Sequence, residues 1–154
     1  MGTKPPGSRE TADFDLHSFF PYLVRIYYRA VSSSITDIYA SRYGLSVSEW
    51  RTMAVLGTDR ISATDIVARS SMNKVNVSRA INGLREAGYL RREIDDSDRR
   101  RAVLRLTDDG LDVLRTLIPL VREREAQLLS GLTDAERTAL VRLMEKVRRN
   151  AAAL

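Results

Sequence analysis

Between positions 73 and 79 the chain sets Asn73, Lys74, Asn76, Ser78 and Arg79 around Val75 and Val77. These side chains are suited to nucleic acid. An arginine fork spans the two major-groove acceptors of guanine, an asparagine amide matches the donor and acceptor of adenine, and a valine packs on a thymine methyl. Lysine and serine suit phosphate oxygens. Arg79 and Asn76 are therefore the candidates for base edges, Val75 for a thymine methyl, and Lys74 and Ser78 for the backbone. The bland reading is that some of these residues only face solvent or cap a helix. Further along, Asp95, Asp96 and Asp98 are followed at once by Arg99, Arg100 and Arg101. Such a run is often a solvated turn. Placed directly after a recognition helix, however, a tip arginine can reach the minor groove, where negative potential is focused.

The elements that must position these residues are legible around them. Val77, Ala80, Ile81 and Leu84 recur at three and four residues and form one apolar stripe, with Val75, Arg79 and Asn82 on the opposite face. Gly88 supplies a left-handed stop, with Arg91 and Arg92 just past it. The period then changes to two. Leu90, Arg92 and Ile94 alternate with Tyr89, Arg91 and Glu93, and Ala102, Leu104 and Leu106 alternate with Val103, Arg105 and Thr107. Leu90, Leu104 and Leu106 are expected inward and the arginines outward.

Upstream, Ser46 and Glu49 form a capping box for a helix carrying Trp50, Met53, Ala54, Val55 and Leu56, which Gly57 ends. Ser62, with Asp65 three residues on, opens a short helix over 63–70 that breaks at Ser70 and Ser71. Short helix, tight turn and second helix make the helix-turn-helix order. Residues 13–43 read as a long helix with a break or kink near Pro21 and a stop at Gly44. It is apolar around so much of its circumference that one small domain cannot cover it, and a second copy is the economical partner. Thr107 caps a helix over 108–130 that contains Pro119, and Thr133 with Glu136 caps a last one to residue 150.

Composition bounds the function. The 154 residues are 44% apolar and 29% charged, enough for one domain with a core. Net charge is +5, with a pI near 9.9. Nine bases against five acids between positions 74 and 105 put most of that excess in the helix and hairpin. With no cysteine, disulfides and thiolate zinc sites are excluded, and a reducing cytoplasm is the expected compartment. No apolar run is long enough for a membrane span, so no membrane partner is expected. Residues 1–12 read as a flexible tail without a signal-peptide core, and Pro6 stands where a myristoylation site needs Ser or Thr.

Other chemistry fails on residue type. Counting Asp96 as the first position of a calcium loop puts Arg101 where Gly is needed and Thr107 where Glu is needed. Gly83 and Gly88 have P-loop spacing, but Tyr89 and Leu90 follow in place of Lys and Ser or Thr. His17 is the only histidine, so no histidine metal cluster can form within one chain and any Ser-His relay would have to use His17 itself. No catalytic residue, metal ligand or cofactor is assigned.

With GLSVSEW at 44–50, NKVNVSRAINGLREAGYLRR at 73–92 and Asp98-Arg99-Arg100 followed by AVLRLTDDG, the chain resembles the MarR (multiple antibiotic resistance regulator) family over residues 13–150. The resemblance implies a mainly α fold with a small β-hairpin wing (α+β), a winged helix-turn-helix with dimerisation helices at both ends. The expected organisation is a tail at 1–12, a dimerisation helix at 13–43, a DNA-binding region at 44–107 and further dimerisation helices at 108–154. It implies a homodimer bound to a pseudo-palindromic operator in double-stranded DNA, a repressor released by a small-molecule effector. It assigns the minor groove to Arg100, with Asp98 holding that arginine and Arg99 and Arg101 at phosphates. It also suggests an effector cavity, for which His17, Tyr27, Tyr28, Trp50 and Arg51 are the candidates against core packing, and an aromatic anion is the expected ligand. A winged-helix protein-interaction module and a non-specific architectural DNA binder stand as alternatives.

Overall fold

The computed structural model describes residues 14–94 and 102–154. Within them the order is α1 (Phe20–Tyr43), α2 (Val47–Leu56), α3 (Ala63–Ser70), α4 (Lys74–Glu86), β1 (Leu90–Ile94), β2 (Ala102–Leu106), α5 (Asp108–Leu128) and α6 (Asp134–Ala152).

Helix α1 starts at Phe20 and not at residue 13, with Pro21 in its first turn. There a missing N–H costs no hydrogen bond and the fixed φ suits the helix, so the proline opens α1 where the sequence predicted a break or kink. Gly44, at φ 65°, donates its N–H to the Ala40 carbonyl and ends the helix. Ser46 and Ser62 form the expected reciprocal capping boxes with Glu49 and Asp65. Between α3 and α4 the chain turns through Ser71 at φ 55°, the left-handed region.

The core lies between these helices. Met53 and Leu56 from α2, Ile66 from α3, and Val77 and Leu84 from α4 meet Leu90, Leu104 and Leu106 of the hairpin. Tyr39 of α1 and Val113, Leu114 and Leu117 of α5 close it from the flanking helices. Each such side chain contributes about 1.5–3 kcal/mol on burial. Helices α2 and α4 approach closely at Gly83, where a Cβ would overlap the carboxylate of Glu49, itself tied into the capping box.

The hairpin is antiparallel, pairing Leu90 with Leu106, Arg91 with Arg105, Arg92 with Leu104, Glu93 with Val103 and Ile94 with Ala102. Ile61 adds a bridge to Leu104, with backbone bonds of 3.2 and 2.8 Å in the two directions. Leu90, Leu104 and Leu106 point inward as expected. Three residues depart from simple alternation. Val103 is buried on the face that carries Arg91 and Arg105, whereas Arg92 and Ile94, on the core face, are exposed.

At the hairpin's foot, Thr107 Oγ1 donates to the Gly88 carbonyl at 2.7 Å and accepts from Gly110 N at 3.1 Å, so one side chain ends the wing and caps α5. Gly110 is required there, since a Cβ would overlap the Tyr89 carbonyl oxygen. Arg124 of α5 donates to Ser34 O of α1 at 2.8 Å, and Arg137 of α6 donates to Leu129 O at 3.0 Å and Leu132 O at 3.3 Å. Apart from such contacts α6 is unsupported, and none of its residues is buried.

Candidate nucleic-acid interface

Helix α4 is held from one side and bare on the other. Val77, Ala80 and Leu84 are each at most 2% exposed and Ile81 is partly buried, which fixes the helix in rotation. Lys74, Val75, Asn76, Ser78 and Arg79 are all exposed in its first turns. Val75 keeps 57% of its surface in solvent. Asn73 is the N-cap, its Oδ1 accepting from Asn76 N at 2.8 Å, so its amide oxygen is engaged in starting the helix.

The charge at this end is also informative. Helices α2, α3, α5 and α6 each carry an acidic residue in the first turn, as the helix dipole favours, whereas α1 and α4 carry none, and α4 begins with Lys74. The first-turn N–H groups of α4 and a lysine with no acid in its own turn present a surface suited to phosphate.

Asp98, Arg99, Arg100 and Arg101 lie outside the described residues, as do Asp95 and Asp96. The hairpin shaft, by contrast, reveals a cluster that sequence patterning did not single out. Glu93 of β1 accepts from Arg91 at 2.7 Å, from Arg60 at 3.1 Å and lies 3.8 Å from Arg105. Arg91, Glu93 and Arg105 share a face through the strand register, and that pattern could have been read from the pairing. Arg60, just ahead of α3, could not.

The five effector candidates are not brought together within one chain. His17 is in the segment before α1, its ring 5.9 Å from Tyr22 in an edge-on contact and its Nδ1 3.5 Å from Asp15. Tyr27 and Tyr28 are exposed on α1. Trp50 stacks on Tyr39 with ring centroids 5.5 Å apart, packed against the core, and Arg51 beside it is half-buried. Of the five, Tyr28 lines an open groove of about 410 Å³ along α1 with Arg25, Arg29, Ser32, Ser33, Thr36 and Asp37. A second cleft of about 330 Å³ lies between α1 and α5, lined among others by Arg42, Glu123 and Arg124. Among the described residues no group of His, Asp and Glu side chains could hold a metal ion, and no helix is long and apolar enough to cross a membrane.

The MarR family matches residues 43–101, the segment from the end of α1 through the hairpin. PecS, an HTH-type transcriptional regulator of Dickeya dadantii, is 30% identical over 114 residues, 71% of this chain and 69% of PecS. The chain belongs to the MarR family. A MarR/EmrR family regulator from Acinetobacter superposes with a TM-score of 0.82 at 23% identity, over 92% of this chain and all of that one. BpsR of Bordetella bronchiseptica, whose DNA binding is regulated by 6-hydroxynicotinic acid, superposes with a TM-score of 0.78 at 22% identity, over 88% of this chain and 96% of BpsR. The MarR fold is thus shared along nearly the whole described chain, and the protein is a transcriptional regulator of the MarR type, not an enzyme.

Proposed function

We propose that this MarR-type protein is a homodimeric, sequence-specific DNA-binding repressor whose α4 enters the major groove. The observation that carries this reading is the asymmetry of α4, locked by Val77, Ala80 and Leu84 while Lys74, Val75, Asn76, Ser78 and Arg79 stand exposed at its start. An α-helix fits the major groove, and side chains near its N-terminus reach base edges there. Arg79 and Asn76 read bases, Val75 meets a thymine methyl, and Lys74 and Ser78 hold phosphates. Asn73 contributes chiefly by capping the helix. In the wing, Arg100 takes the minor groove with Asp98 holding it, and Arg99 and Arg101 contact phosphates.

Dimerisation is supported by apolar surface that one chain leaves uncovered. Phe20, Val24, Tyr27, Tyr28 and Val31 on α1 and Leu140, Val141, Leu143, Met144 and Val147 on α6 are all exposed. Patches of this extent mark an interface. Two copies then meet a two-fold operator, and a dimer seated across a promoter denies it to other proteins, which is repression by occupancy.

For release we assign a small aromatic anion, as with the 6-hydroxynicotinic acid that regulates BpsR. The groove along α1 supports that chemistry, with Tyr28 as an aromatic wall and Arg25 and Arg29 as carboxylate partners. His17, Tyr27, Trp50 and Arg51 contribute only if a second chain closes the site around them.

Gel-shift titration of the promoter beside the protein's own gene tests the reading. Arg79→Ala weakens binding by about 1–3 kcal/mol and relaxes base preference, whereas Arg100→Ala weakens it similarly and leaves preference intact. Unchanged affinity in both variants overturns the assignment.

A further inference from the structure

The wing shaft carries charge that the reading of α4 and the wing tip leaves unused. Arg60, Arg91 and Arg105 come from three separate chain segments and converge on the one carboxylate of Glu93, at 3.1, 2.7 and 3.8 Å. Two of these guanidinium groups, Arg91 and Arg105, share the single Glu93 carboxylate. The cluster is not hidden. The side chains of Arg91, Arg60 and Arg105 are 51%, 39% and 33% exposed, and the carboxylate beneath them is 24% exposed.

The carboxylate therefore acts as a root for the cluster. It takes one edge of the Arg91 fork and steadies Arg105, and Val103 is buried on the same face. An arginine pre-oriented by a carboxylate loses less rotamer freedom on meeting a second anion than a free one does. Arg60 indicates which anion. It stands just ahead of Ser62, the N-cap of α3, and the first helix of a helix-turn-helix crosses the nucleic-acid backbone.

We infer that Arg60, Arg91 and Arg105, rooted on Glu93, form a phosphodiester-binding patch on the shaft of the wing, separate from the base-reading turn of α4 and from the wing tip. Glu93 is the positioning residue and touches no DNA. The patch grips the backbone without regard to sequence. It rests on the DNA-binding reading above, and the test separates the two.

Fluorescence anisotropy with a short mixed-sequence duplex, titrated at several potassium chloride concentrations, reads the number of phosphates neutralised. Each of Arg91→Gln and Arg105→Gln lowers the slope of log K against log salt by about 0.9 and weakens binding several-fold. Arg91→Lys keeps the charge and restores the slope. A structural loss of the wing would lower the slope too, so a thermal melt of each variant checks that the wing stays folded. A wild-type chain that binds no duplex overturns the DNA reading and the patch together. A wild-type chain with salt-dependent binding, whose slope and affinity survive both glutamine substitutions, overturns the patch alone and leaves the arginines as a staple between wing and α3.

Discussion

Arg79 and Asn76 owe their proposed role to position as much as to chemistry. Either residue one step round the helix would face the core beside Val77 or Ala80. Residue-level patterning was informative here because a 3.6-residue stripe tells which side chains must be left over. It was blind to Glu93, whose partner Arg60 comes from a loop ahead of α3 and is brought beside it by the bridge of Ile61 to Leu104. It was equally blind to Thr52. That side chain is fully buried in α2 and its hydroxyl has no hydrogen-bond partner among the described residues. An unsatisfied buried hydroxyl carries a desolvation penalty, so Thr52→Val raises stability by about 1 kcal/mol, read from the urea midpoint. The effector candidates are the converse case. Trp50 has the right chemistry for a ligand wall, but its face is taken by Tyr39, and no periodicity in the sequence announces that stack.

At the level of elements, caps and glycines made most boundaries legible, because a capping box or a left-handed glycine is a local signal. The start of α1 was not, since the apolar pattern continues through Phe14, Leu16 and Phe19 ahead of the helix and only Pro21 marks its first turn. The junction of wing and α5 is the tightest of these joints. Gly110→Ala drives a methyl into the Tyr89 carbonyl, and a loss of about 1–3 kcal/mol in thermal unfolding is expected, together with weaker DNA binding as the wing shifts. Helix α6 provides a pH test. Its Glu136 carboxyl is held below the usual carboxylate range, chiefly by the Thr133 backbone N–H and then by the Thr133 hydroxyl. A depressed native pKa means that the unfolded chain takes up the proton first. The stabilisation is therefore present at neutral pH and lost as the pH falls through the ordinary glutamate range to the lowered value. Glu136→Gln accordingly reduces stability at neutral pH, and the difference from wild type closes in acid when melting temperatures are compared across pH.

Over the whole molecule, a well-buried core contrasts with terminal helices that are only partly covered. Tyr39 and Leu117 show that the inner halves of α1 and α5 belong to the core, while the outer part of α1 and all of α6 expose their apolar sides. The sequence conveyed this imbalance as an excess of apolar circumference. The geometry of the pairing was not legible, because no pattern within one chain records the orientation of its partner. Val141→Glu combined with Met144→Glu is expected to convert the proposed dimer to a monomer in sedimentation velocity, with loss of operator affinity and little change in the winged core. Selection of bound fragments from random double-stranded DNA reads whether two copies of α4 are held at a fixed separation. An enriched inverted repeat with half-site centres about 10 base pairs apart, or a multiple of that spacing, is expected. Recovery of fragments with no shared motif, or of a single unrepeated half-site, would contradict it.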